Sequence, residues 1–387
     1  MQEFFSPVGK SVMGHREFLP ENVLGKHLLI HSGRNGFPEL EGCKFALFGV
    51  KENRNSIDFN GTYPVFDSIR KSLYALFPGN WNYKIADLGD IYPGETVTDT
   101  YFAVTAVVKE LLKQQIIPLM LGGSQDLMYA AYRAYDDFGK MINYVNIDSK
   151  FDIGDAEAAI NNGSYVGKMV VDKPYNLFNY SAIGYQSYFN SADEIALLDK
   201  LYFDAYRLGE IVNNIQLVEP LTRDADMISL DISAIKTAEL SYINNNSPNG
   251  LDGREVCAIS RYAGISNKVS FYGIFEINDF ENTPSASMLI AQILWYFIEG
   301  VNYRIDDGDF ISDEDFKTYK VPIEDDVLVF KKSLNTQRWW IELPFISEGN
   351  NKLKRHTLLP CAYQDYVSAC NQEIPERWLK ARRKNEI

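Results

Sequence analysis

The stretch MINYVNIDSKFD, residues 141–152, decides the fold. Met141 to Ile147 are apolar and β-prone, the composition of a strand buried on both faces of a sheet. The run passes directly into Asp148, Lys150 and Asp152. In open α/β sheets ligands bind in the crevice at the carboxyl ends of the strands, so two carboxylates and an ammonium there mark a candidate site. A solvated loop after a strand has the same local composition. What favours a site is that other strands of this chain end in the same way.

Outward from this stretch, strands and helices alternate. Cys43–Val50, Tyr83–Ile91 and Ile116–Leu121 read as earlier strands, and Met227–Leu230 and Val269–Phe275 as later ones. Lys168–Val171 and Ser181–Tyr185 are short strand candidates. Helical spacing runs through Val65–Leu76, Tyr101–Gln115 (behind Thr98 as N-cap), Asp126–Phe138, Glu194–Leu201, Phe203–Ile215, a segment opening at Asp252 or Gly253, and Ser285–Gly300. Such alternation predicts βαβ units, hence a three-layer α/β fold with a mainly parallel sheet. Residues 1–42 read as an irregular, partly helical lead-in, 43–302 as the α/β domain and 303–387 as a C-terminal extension packed on it. In the extension, the acid-rich 306–309 and 312–315 read as a solvated linker. Val327–Lys332 and Arg338–Pro344 are expected to pair as an antiparallel hairpin around Ser333–Thr336. One or two helices are expected from Ala362 onward.

Hydrophobic residues at 46% and charged residues at 23% suit a soluble globular protein, and a formal charge of −14 argues against a nucleic-acid partner. No apolar run approaches membrane-spanning length, and the first twenty residues lack the basic-then-apolar pattern of a signal peptide. Cys43, Cys257, Cys361 and Cys370 are scattered, as reduced cytoplasmic thiols are. The four histidines are His15, His27, His31 and His356, so none lies between residues 32 and 355. Central chemistry must do without imidazole, and the four histidines read as surface or packing residues.

Four strand ends carry unusual polar content. They are Gly122-Gly123-Ser124-Gln125-Asp126, Asp148 with Lys150 and Asp152, Asp231 with Ser233, and Glu276 with Asn278. In a parallel sheet all four lie on one edge. Carboxylates gathered there repel one another unless cations offset them, and metal ions are the usual solution.

In this order and spacing the segments GGSQD, DSKFD, SLDIS and EIND resemble the GGDHS, DAHxD, SxDxD and ExNP motifs of the ureohydrolase superfamily: arginase, agmatinase and formimidoylglutamase. Asn60–Pro64 with Ile69-Arg70, Asp87–Ile91, and Pro248–Leu251 with Arg254-Glu255 add to the likeness, which covers roughly residues 43 to 300. The resemblance implies the arginase-type αβα sheet, trimers or hexamers, and two manganese ions held by four aspartates and two histidines. At the matching positions Asp148, Asp152 and Asp231 are kept. Gln125 and Lys150 stand where histidines are implied, and Ser233 where the fourth aspartate is. Asn162–Gly167 resembles SGNxHG and puts Val166 at the catalytic histidine, while Glu276 matches the residue that contacts the guanidinium or formimino group.

These departures set the functional expectation. A bridging hydroxide needs its pKa brought from 15.7 to about 7 by concentrated metal charge. A protonated lysine offers no lone pair. The expected protein therefore has a degenerate site at Gln125, Asp148, Lys150, Asp152, Asp231 and Ser233, with no metal cofactor. Lys150 is expected to face Asp231 as counter-charge, and Gly122 and Gly123 to permit a sharp turn. Function is then binding: a cationic small molecule on Glu276, or a protein partner or second copy anchored by Trp339, Trp340 and Trp378. The alternative is a hydrolase of a guanidino or formimino C–N bond. It would use one manganese or magnesium ion on Asp148, Asp152 and Asp231, with Lys150 as base and Glu276 on the substrate.

Overall fold

The computed structural model describes residues 1–240, 247–277, 280, 283–307, 314–323, 326–343 and 358–386. Along them run the strands β1 (Phe5–Ser6), β2 (Leu29–Ile30), β3 (Cys43–Val50), β4 (Lys84–Ile91), β5 (Ile117–Gly122), β6 (Ile142–Ile147), β7 (Leu177–Tyr185), β8 (Asp204–Arg207), β9 (Met227–Asp231), β10 (Phe271–Phe275), β11 (Phe316–Ile323), β12 (Asp326–Ser333), β13 (Trp339–Glu342) and β14 (Leu358–Cys361). The helices are α1 (Lys10–Glu17), α2 (Leu24–His27), α3 (Asp67–Ala75), α4 (Val97–Lys113), α5 (Leu127–Arg133), α6 (Tyr165–Val171), α7 (Ala192–Lys200), α8 (Leu208–Asn213), α9 (Val218–Arg223), α10 (Thr237–Leu240), α11 (Gly253–Ile265), α12 (Pro284–Asn302), α13 (Tyr363–Cys370) and α14 (Glu376–Glu386). Asn278 and His356, and residues 308–313 of the acid-rich stretch, lie outside the described residues.

The expected mainly parallel sheet is present. Its order is β1-β4-β3-β5-β10-β9-β6-β7-β8 with β2 beside β4, and the pairing of β1 with β4 is its antiparallel one. Strands buried on both faces need helices on both, and two apolar clusters supply them. Val12, Leu24, Ile69, Leu221, Ile259 and Leu294 pack one face, from α1–α3, α9, α11 and α12. Val104, Leu127, Met169 and Leu198 pack the other, from α4–α7. The lead-in is less irregular than expected, since β1 and β2 extend the sheet at β4.

Several boundaries differ from the sequence reading. Lys168–Val171 is not a strand but the end of α6, whose buried Tyr165, Val166 and Met169 follow helical spacing. A short apolar run does not separate the two states by periodicity alone. Phe203–Ile215 is not one helix: Asp204–Arg207 pairs with the open edge of β7, and α8 follows. The cap of α4 is Thr96, whose hydroxyl accepts from Asp99 N while the Asp99 carboxylate accepts from Thr96 N.

The predicted hairpin forms as β12 and β13, with Phe330 opposite Ile341 and Lys332 opposite Trp339. β11 and β14 flank it, completing an antiparallel sheet. The three tryptophans are not exposed anchors. Trp339, Trp340 and Trp378 are buried, because their large apolar area is what this small sheet and α14 have to bury. Trp378 Nε1 donates to Glu342 O at 2.7 Å. The Arg223 guanidinium stacks 4.4 Å from the Trp340 ring and its Nη2 donates to Cys361 O at 3.0 Å, latching the extension to α9. Lys384 reaches Asn179, and Lys380 Nζ donates to Phe203 O at 3.2 Å. These contacts lie where β7 and β8 begin, at the end of the sheet opposite the strand ends singled out above.

Candidate functional site

β5, β10, β9 and β6 are consecutive and parallel, so their carboxyl ends open on one edge. Asp148 leaves β6, Asp231 closes β9, Glu276 follows β10 and Gln125 follows β5. One carboxylate oxygen each from Asp148, Asp152 and Asp231 lies within 4.8 Å of the others, and all three residues are buried. Lys150 N donates to Asp148 Oδ1 at 2.9 Å, Asn146 Nδ2 to Asp148 Oδ2 at 3.2 Å, and Ser233 N to Asp231 Oδ1 at 2.6 Å.

Burial is the largest influence on these acids and pushes all three up. Asp152 rises well above the ordinary carboxylate range, with repulsion from Asp148 next in weight. Asp231 does likewise, with Asp148 and then Glu276 as its negative neighbours. Asp148 rises less, because Asp152, Lys150 N and Asn146 all bond to it. Such an array relieves itself by taking up protons or by holding a cation.

Two site residues have backbone in the left-handed region that L side chains avoid, Asp152 at φ 53° and Glu276 at φ 59°. Each is clamped. Val166 N donates to Asp152 O at 3.1 Å, and Glu276 N to Gly123 O at 2.6 Å. Strain of about 1–3 kcal/mol per residue persists where packing over-determines it, commonly at sites. Gly122 and Gly123 serve close approach rather than an unusual turn: a Cβ on Gly123 would lie 2.3 Å from Glu52 O, and one on Gly122 2.4 Å from the Phe275 ring.

Glu276 is half-buried. Its Oε1 accepts from Gln125 N at 2.8 Å and Asn162 Nδ2 at 3.1 Å. Burial pushes its carboxyl up to about 7 despite those two bonds. Asn162 also accepts from Ile57 N at 3.0 Å, tying Glu276 to the loop after β3.

Gln125 turns beneath the site. Its Nε2 donates to Asn146 Oδ1 (3.1 Å), Tyr165 OH (3.2 Å) and Ser229 Oγ (3.3 Å), and Tyr144 OH joins Tyr165 and Ser229. Ser233 Oγ lies 3.5 Å from Ser149 Oγ. Val166 is fully buried and carries no polar atom to the edge.

Lys150 departs most from expectation. It does not face Asp231 as a counter-charge: its side chain is exposed and, among the described residues, its ammonium makes no ion pair. Only its main chain bonds to the acids. Desolvating an ammonium beside carboxylates is costly, and an extended stem leaves it in water. His15 and His27 are exposed, whereas His31 is buried with Nδ1 2.9 Å from Leu88 O.

The donor set fits one oxygen-liganded cation. Three desolvated carboxylates converge, and Asp152 Oδ2 is buried with no hydrogen-bond partner. The side chains at the other three positions supply no second set of charged ligands: Lys150 is an exposed ammonium, Ser233 a hydroxyl, and Gln125 commits its Nε2 below and leaves only a neutral Oε1, buried without a hydrogen-bond partner.

Sequence reasoning missed Asn146 and Ser229, which build the polar layer under the acids. A signal was there, since each is a polar residue in an apolar strand, two positions before Asp148 and Asp231 and so on the same face. The contact of Asn162 with Glu276 carried no local signal.

Comparison with known proteins agrees with this architecture. The model of the Arginase family matches residues 44–299. Formimidoylglutamase of Streptococcus gordonii is 22% identical over 284 residues, 67% of this chain and 85% of that protein. Among solved structures, Trypanosoma cruzi formiminoglutamase with Mn2+ superposes with TM-score 0.62 at 16% identity, covering 69% of this chain and 96% of that one. Formimidoylglutamase of Bacillus subtilis gives 0.60 at 18%, covering 69% and 90%. Agmatine ureohydrolase of Thermoplasma volcanium gives 0.56 at 20%, covering 75% and 98%.

Proposed function

Because the chain belongs to the arginase family, we propose that it is a ligand-binding member with one divalent cation on Asp148, Asp152 and Asp231, and that it has lost the two-cation hydrolysis of linear amidines. The observation behind this is the fate of six positions. Three keep convergent, buried carboxylates. The other three hold Gln125, a neutral amide whose Nε2 is engaged with Asn146, Tyr165 and Ser229; Lys150, which is exposed; and Ser233, which sits by Ser149. When bound, magnesium or manganese there supplies positive charge and a Lewis-acidic pole. The chain's own part is to orient a ligand. Glu276 holds one oxygen on Gln125 N and Asn162 and has the other to accept from a guanidinium or amidinium N–H.

Elemental analysis of metal-loaded protein tests the reading. One ion per chain is expected, with thermal shifts but no urea or formamide from arginine, agmatine, 4-guanidinobutyrate or formiminoglutamate. Two ions per chain with turnover lost on chelation would overturn it.

A second reading, a hydrolase with a reduced site, has one observation in its favour. Burial pushes the Glu276 carboxyl up to about 7, where a carboxyl can move protons at neutral pH. In that reading the proton-transfer role belongs to Glu276 rather than to Lys150, whose side chain leaves the acids. Product release abolished by Glu276→Gln would select it.

A further inference from the structure

We propose that Lys150 sets the specificity of this site, its ammonium taking the carboxylate of a guanidino or amidino acid whose cationic end rests on Glu276. The proposal rests on the reading that Glu276 binds such a cation.

Lys150 stands between two acids of the site, with its main chain fixed and its side chain free. Its N–H is held by Asp148 Oδ1 at 2.9 Å. Its neighbours are pinned by Asn190, whose Oδ1 accepts from Phe151 N at 2.8 Å and whose Nδ2 donates to Ser149 O at 3.0 Å. The exposed ammonium makes no ion pair among the described residues. The Lys150 main chain is therefore fixed at the strand-end edge that carries the acids, and its ammonium stands in solvent without a hydrogen bond to them among the described residues.

Another cation on this rim is already spent. Arg54 donates to both oxygens of Glu52, to Glu95 O and to Gly94 O. The loop beside Glu276 carries exposed apolar side chains, Ile57 at 70% exposed with its N–H on Asn162, then Phe59 and Tyr63, with the exposed acid Asp58 between the first two. A carboxylate for the cation, apolar side chains on the neighbouring loop and a lysine without an ion pair together suit a ligand with a positive head, a hydrocarbon spacer and a negative tail. A positive tail meets repulsion from Lys150.

Two probes share a guanidinium head and differ in the charge of the tail: 4-guanidinobutyrate (carboxylate) and agmatine (ammonium). Calorimetry on the full chain in magnesium buffer of low ionic strength should give 4-guanidinobutyrate about tenfold tighter binding, the order expected for exchanging an exposed attraction for a repulsion. Lys150→Met should erase the preference, Lys150→Glu reverse it and Lys150→Arg keep it. Because the side chain is in solvent, these variants should fold, which circular dichroism checks. If wild type binds both probes equally, or Lys150→Met keeps the preference, the role of Lys150 is wrong while the Glu276 reading stands. If neither probe binds, the Glu276 reading fails and this one with it.

Discussion

Replacing Glu276 by glutamine should make the metal-free protein more stable at high pH and leave it little changed in acid. The carboxyl rises from an ordinary 4.5 to about 7 in the fold, chiefly through burial. A group raised in the folded state contributes stability that is complete below its unfolded value and is lost as pH climbs through its folded value. The gap between 4.5 and about 7 corresponds to about 3 kcal/mol, at about 1.4 kcal/mol per pH unit. Glutamine keeps an oxygen for Gln125 N and Asn162 and has no charge to desolvate. The stability of Glu276→Gln relative to wild type should therefore climb by up to about 3 kcal/mol between pH 4.5 and 8. Urea unfolding in chelator-containing buffers across that range measures it. Taking the difference removes groups that do not interact with Glu276; Asp231, which the Glu276 charge raises, shifts with it in the same direction. A difference that stays flat with pH would show that Glu276 ionises freely in the fold and refute the reasoning.

Magnesium or manganese should stabilise wild type by about 2.7 kcal/mol at one hundred times the dissociation constant, and Asp152→Asn should show no such gain by calorimetry. Without metal, Asp152→Asn should be the more stable protein at pH 7 and lose that advantage on acidification, since Asp152 is held well above its ordinary range. Restoring family residues together, as Gln125→His, Lys150→His and Ser233→Asp, should raise metal content from one ion per chain to two, read by elemental analysis. Arg223→Met removes the bond to Cys361 O and the stacking on Trp340, and should loosen the extension by about 2 kcal/mol. Hydrogen exchange in β13 and β14 should quicken while ligand binding at the opposite end is unchanged.

Much of the site was legible because strand ends and carboxylates are written in local sequence. Met141–Asp152 contains both a buried strand and its polar exit, and the same holds at Asp231 and Glu276. Lys150 was misread because adjacency in sequence gave it the company of Asp148 and Asp152 without giving the direction of its side chain. Solvation sends the ammonium outward, while its N–H stays with Asp148. The tryptophans were misread for a related cause. Exposed and buried tryptophan look alike in sequence, and only the pairing of β13 with β12 and β14 placed Trp339 and Trp340 inside.

The sequence by itself determined the alternation of strands and helices, the parallel sheet and the gathering of Gln125, Asp148, Asp231 and Glu276 on one edge. Period, composition and strand polarity are local properties, and parallel pairing brings like ends together without further information. Tertiary structure alone decided which neighbours each polar group acquired: Gln125 below with Asn146 and Ser229, Asn162 on Glu276, and the extension on the far end of the sheet. Those contacts join residues far apart in the chain, where burial and hydrogen-bond satisfaction settle partners that spacing cannot name. So it is with residues 141–152. Their order announces a site, and the fold makes it three buried acids with one exposed lysine between two of them in the chain.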